Sequence, residues 1–159
     1  MPKGIITILA LFMTSAAMAS DGEVDALYAE GDWAFFYDDR ACWMSTLAAP
    51  DQEADMLYIS FYRGETIPEI VFFSRSPLGD DVRTAQVTLG GRSFPMDVAE
   101  HSAFLPRDHS TEFIKSALAG FSAITVNLGP NDEMTFQGGS FGEVYQYLAR
   151  TCPYFGGRG

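Results

Sequence analysis

Basic side chains are scarce in this chain: 10 Lys and Arg stand against 21 Asp and Glu across 159 residues, a formal net charge of −11. That balance disfavours nucleic acid and anionic lipid as partners, because a polyanion is repelled and no Lys/Arg cluster offsets the repulsion. A basic protein partner or a cation remains compatible with it. Histidine is scarcer still, with only His101 and His109. Each has at most one carboxylate at helical spacing, Asp97 for His101 and Glu112 for His109, which falls short of a zinc ligand set. No G-x-S-x-G elbow is present, and Ser, His and Asp are too scattered to propose a triad. The acidic pair in Gly79-Asp80-Asp81 supplies too few oxygen ligands for an EF-type calcium loop and reads as a solvated turn. Asp38-Asp39-Arg40 reads likewise as a turn between strands. No catalytic residue, metal ligand or cofactor is therefore assigned.

Long apolar runs are also lacking after the first 19 residues, since every later one is broken by charge, Pro or Gly within about ten residues. No transmembrane segment is expected in a mature chain. What does stand at the start is Lys3, then the apolar run Gly4 to Met13, then small residues ending in Ala17-Met18-Ala19. This is the charged, apolar and small-residue order of a signal peptide, with Ala17 and Ala19 at the two positions that signal peptidase reads. An uncleaved anchor is the alternative, but the apolar run is shorter than the roughly 18 to 20 residues that span a bilayer. Cleavage after Ala19 is expected, which removes Lys3 and takes the net charge from −11 to −12. The product would be periplasmic or secreted.

Cysteine is limited to Cys42 and Cys152, one near each end of the remaining chain. Export delivers both to an oxidising compartment, where a paired disulfide persists. Two free buried thiols or a redox-active pair are the competing readings, and the absence of a C-x-x-C motif argues against redox chemistry. A bond would close a loop of about 110 residues and restrict the unfolded chain by roughly 4 to 5 kcal/mol on the entropy model.

The remaining length fits one domain, with aromatics at 14% and charged residues at 19% of the whole chain, a globular and not a disordered composition. Residues 20–31 form an acidic N-terminal segment, residues 32–154 the domain, and residues 155–159 a loose tail. Between them run short segments rich in aromatic and β-branched residues, separated by Pro, Gly, Asp and Asn. These are Trp33 to Tyr37, Cys42 to Leu47, Met56 to Tyr62, Ile67 to Ser74, Ala85 to Leu89, Ser93 to Val98, Ala103 to Leu105, Ala123 to Leu128 and Met134 to Gln137. Strands of this length and spacing predict an all-β sandwich or barrel. Both faces of the Met56 and Ile67 segments are apolar, which suits central strands. Leu89-Gly90-Gly91-Arg92-Ser93 predicts a tight hairpin, because adjacent glycines supply positive φ angles.

Two segments switch to helical period. After Asp108, a candidate N-cap, Phe113, Ile114, Ala117 and Leu118 share a face and Gly120 ends the run. Ser140-Phe141-Gly142-Glu143 has the form of a capping box, followed by a stripe of Phe141, Val144, Tyr145 and Leu148. Gly138-Gly139-Ser140 at that helix start would offer backbone N–H groups to an anion, but a capped entry accounts for the same residues. Trp33, Trp43, Phe35 and Phe73 would line a ligand cleft or, as buried rings more commonly do, a core.

The order of these features resembles the invasion-associated locus B family of exported bacterial proteins. The residues that carry the likeness are Gly31-Asp32-Trp33, Cys42-Trp43, the strands around Ile59-Ser60-Phe61 and Pro68-Glu69-Ile70, and Thr135-Phe136-Gln137-Gly138-Gly139-Ser140-Phe141 followed by a helix and Cys152. They span most of the mature chain. The resemblance implies an immunoglobulin-like β-sandwich with two short helices, one at the C-terminus, in the periplasm or on the envelope, with no known cofactor or catalytic centre. Some members of that family are linked to entry into host cells. The first expectation for function is thus a non-enzymatic module that binds a protein through a surface or a sheet edge. A small-ligand carrier would need a large closed cavity, and a hydrolase would need His101, an acid and a serine converging in a cleft.

Overall fold

A computed structural model describes residues 25–47, 55–74, 77–78, 84–129 and 132–158. The leader with Ala17 and Ala19, and the acidic turn at Asp80-Asp81, lie outside the described residues. Ten strands run β1 Tyr28–Glu30, β2 Trp33–Tyr37, β3 Ala41–Leu47, β4 Met56–Tyr62, β5 Glu69–Phe73, β6 Ala85–Leu89, β7 Arg92–Ala99, β8 Ser102–Phe104, β9 Ala123–Gly129 and β10 Asp132–Gln137. Two helices, α1 Arg107–Leu118 and α2 Phe141–Thr151, complete the all-β, sandwich-like architecture that the sequence predicts. One strand was not foreseen: β1 forms within the acidic N-terminal segment, because Tyr28 stacks on Tyr147 of α2 with ring centroids 4.3 Å apart.

All pairings are antiparallel, in the order β1-β2-β3-β4-β5-β8-β7-β6-β9-β10. The strands therefore belong to one continuous sheet. It folds over at β7, whose residues 92–96 pair with β6 while residues 97–99 pair with β8. The fold brings β10 over the first half: Phe136 meets Phe72 edge-on at 5.9 Å, and Trp33 Nε1 donates to the Gln137 carbonyl at 2.9 Å. Successive strand residues point to opposite faces, and cross-strand partners share one. Trp33, Phe35, Met44, Leu57, Ile59, Ile70 and Phe72 accordingly fill the interior from the first half, each no more than 2% exposed. The Leu89-Gly90-Gly91-Arg92 hairpin forms as expected, with φ of 55° and 78° at the two glycines.

The helices differ in detail from their sequence signals. Pro106, not Asp108, occupies the N-cap of α1, and Asp108 sits in the first turn. Proline has no N–H to satisfy and a fixed φ, so it suits a helix start, while an acid one turn in still complements the dipole. Phe113, Ile114 and Ala117 are buried, whereas Leu118 is 45% exposed at the helix end. At α2 the capping box does not form: the Ser140 hydroxyl donates instead to the Glu30 carbonyl of the β1–β2 hairpin. The apolar stripe is in place, with Phe141, Val144 and Leu148 buried. Residues Phe155–Gly157 make a 3-10 turn that sets the Phe155 ring 5.0 Å from Phe61, so this part of the predicted tail is packed.

The ends of the chain are fastened at one junction. Cys42 on β3 and Cys152 after α2 form a disulfide with Cα atoms 5.9 Å apart. Tyr154 then donates its hydroxyl to the Asp39 carbonyl at 2.7 Å. Gly31 holds φ +56° beside Ser140, where an added Cβ would stand 2.7 Å from Oγ. A Cβ on Gly138 would meet Phe121 at 2.5 Å. Phe121 in turn lies edge-on to Phe141, 5.5 Å away, and Phe141 edge-on to Trp33 at 5.0 Å. Two predictions follow from this junction. Reduction, or Cys42→Ala with Cys152→Ala, lowers stability in a urea titration by about 4 kcal/mol, with the loss set by the closed loop. Gly31→Ala costs about 1–3 kcal/mol through its left-handed backbone. In a Ser140→Gly background that cost shrinks, because the contact with Oγ is gone.

Candidate interaction surface

The two halves of the sheet present unlike outer faces. On β6, β9 and β10 the outward positions include Gln86, Thr88, Ala123, Thr125, Asn127, Glu133, Thr135 and Gln137, and on β7 Ser93 and Pro95. This is the polar, solvated surface expected of an antiparallel sheet with one buried side. Thr88 and Ser93 share a hydroxyl hydrogen bond of 2.8 Å there. On the first half the register instead lines up apolar groups. One row crosses β2 to β5 as Phe36, Trp43, Ser60 and Glu69. A second crosses β2, β3, β4, β5, β8 and β7 as Ala34, Ser45, Tyr58, Val71, Phe104 and Asp97. A third carries Met56, Phe73 and Ser102. Trp43, Met56, Tyr58, Val71, Phe73 and Phe104 are all neither buried nor fully exposed.

Local chemistry on this face is that of a hydrophobic platform with polar points. The Phe36 and Trp43 rings lie within 11° of parallel, centroids 5.7 Å apart, and Phe36 and Ser45 are buried at 6% exposure, so the open part of the face is the part from Trp43 and Tyr58 onward. Tyr58 donates its hydroxyl to Met56 Sδ at 3.1 Å, and burial raises its phenol above the ordinary 10.0. Tyr62 at the end of β4 is raised by burial first and then by the nearby Glu69 carboxylate. Contiguous apolar surface of this kind, rimmed by polar groups, marks contact sites on soluble domains.

The rings singled out in the sequence divide between the two sides of the sheet. Trp33 and Phe35 face inward as core, 1% and 2% exposed, while Trp43 and Phe73 face outward. They do not converge on one cleft. His101 stacks on Phe73 at 6.0 Å with Nδ1 3.3 Å from the Ser74 carbonyl, and His109 meets Phe94 edge-on at 6.1 Å. Ser110 Oγ is buried without a hydrogen-bond partner, whereas a nucleophilic hydroxyl needs a base within reach. Asp38 Oδ1 accepts from the backbone N–H groups of Arg40 and Ala41 at 2.7 and 2.8 Å, making the turn foreseen there. Among the described residues no group of three or more His, Cys, Asp or Glu could hold a metal, and no helix is long and apolar enough to cross a membrane. The depression formed by Gly90, Arg92, Lys115 and Gly120 is open, and its Arg92 is ion-paired with Glu112. Comparison of the chain with protein-family models, curated proteins and solved structures finds no match.

The raised phenols on this face and in the interior give stability a pH dependence with a definite sign. Tyr58 and Tyr145 are both shifted up by burial, so the folded chain holds those protons more tightly than the unfolded one. Stability is therefore full below about pH 10, where both states are protonated, and falls as pH rises from there towards the folded values. Denaturant midpoints measured across that range should drop less steeply in Tyr58→Phe than in the unaltered chain.

Proposed function

We propose that this chain is an exported, non-enzymatic interaction module, cleaved after Ala19 and active in the periplasm or as a secreted protein. Its working surface is the outer face of β2 to β5 and β8. The observation that carries the reading is the contrast between that face, with Trp43, Tyr58, Val71, Phe73 and Phe104 outward, and the hydroxyl and amide surface of the other half. Partly exposed rings give contact area at low entropic cost, and protein interfaces are enriched in Tyr, Trp, Phe and Met. Export is supported by the leader-like order of residues 1–19 and by a disulfide that joins two distant cysteines, which oxidising compartments preserve. The resemblance to the invasion-associated locus B family agrees with an envelope or host-contact role.

The test uses the full-length chain expressed in a bacterium with photo-crosslinking residues at Val71 or, as the control, at Thr125. The expected result is a mature mass starting at Ser20 and protein adducts from position 71 but not from 125. Adducts of equal yield from both positions, or a retained leader on the exported product, would sink the reading.

A further inference from the structure

We infer that the outer face of the first half-sheet is built for a basic, amphipathic protein segment, an inference that rests on the reading of this face as the working surface. The rows that cross it end in carboxylates: Phe36, Trp43 and Ser60 lead to Glu69, and Tyr58, Val71 and Phe104 lead to Asp97. Neither β2, β3, β4, β5 nor β8 contains a Lys or Arg, and residues 97–99 of β7 contain none. Glu69 lies near the Tyr62 phenol at the end of the first row. Asp97 is exposed at the end of its own row.

Among the described residues, three arginines next to these strands are engaged elsewhere. Arg40 pairs with Asp39, Arg107 with Glu65, and Arg63 lies over the Tyr154 ring at 6.0 Å. An apolar strip with an acid at one end of two of its rows and a net charge of −11 on the whole chain is complementary to aliphatic side chains next to Lys or Arg. The same charge repels anionic lipid and nucleic acid. A segment with an apolar stretch next to a basic one would lay its apolar side chains on Trp43, Tyr58 and Val71 and direct the adjoining cations towards Glu69 and Asp97.

The probe is a short synthetic peptide of a Leu-rich stretch followed by Lys residues (Leu/Lys), with its Leu/Glu counterpart and neutral phosphatidylcholine vesicles as the other arms. Each is titrated into the oxidised mature protein and followed by tryptophan emission. Trp33 is 1% exposed, so the reporter of surface binding is Trp43. The Leu/Lys peptide should bind at least about tenfold more tightly than Leu/Glu at low ionic strength, with the gap closing in high salt. Glu69→Gln with Asp97→Asn should weaken Leu/Lys binding several-fold and so narrow that preference, and a gap left at its full size would overturn the charge inference. Equal binding of the two peptides, with both lost in Val71→Ser, would overturn the charge inference while leaving the face as a contact surface. Binding of vesicles in place of either peptide, or no change in emission with any probe, would overturn both.

Discussion

The fold depends on the clasp between the N-terminal hairpin and the C-terminal helix. Neither element would persist alone: β1 is three residues long, and a helix of 11 residues is marginal in water without packing. The disulfide supplies the covalent part of the clasp. The Trp33 indole on the Gln137 carbonyl, the Ser140 hydroxyl on the Glu30 carbonyl and the ring contacts of Phe141 supply the rest. The sheet then has a reason to fold over at β7, since β9 and β10 must return to the strand that carries Trp33. Gly31, Trp33, Cys42, Gln137, Gly138, Ser140 and Phe141 are the residues of this clasp, and the outward-facing rings Trp43 and Phe73 take no part in it.

Much of this was legible from residue order because the signals were local. Met56 to Tyr62 and Ala85 to Leu89 match their strands end to end, since alternation and flanking turn residues act within a few positions. The double-glycine hairpin needs only two adjacent φ angles. The cysteine pair was legible for another reason, there being just two thiols to join.

What was not legible required knowing which distant group would compete for a side chain. Ser140 has the sequence of a capping residue, yet the Glu30 carbonyl, 110 positions away, takes its hydroxyl. Asp108 has the form of an N-cap, but Pro106 sets the helix start two residues earlier. The outer face was hidden in a subtler way. Apolar residues on both sides of a strand predict a central strand, and period alone does not say whether the second side meets another layer. In β4 and β5 one side meets β10 and α2, while the other carries Tyr58, Val71 and Phe73 on the outside.

A face of this kind would ordinarily invite copies of the chain to associate through it. Two features of the same surface oppose that outcome. Stacking two such faces brings together two molecules of large negative charge with no Lys or Arg among the strands of the face to offset it. Like charges brought together at a desolvated contact are unfavourable, so self-association loses more from the acids than a basic partner would gain from them. On the reading proposed above, the acids act in both directions at once, disfavouring homotypic packing of the rings and favouring a partner of opposite charge, so that specificity would come from the ends of the rows and contact area from their middles.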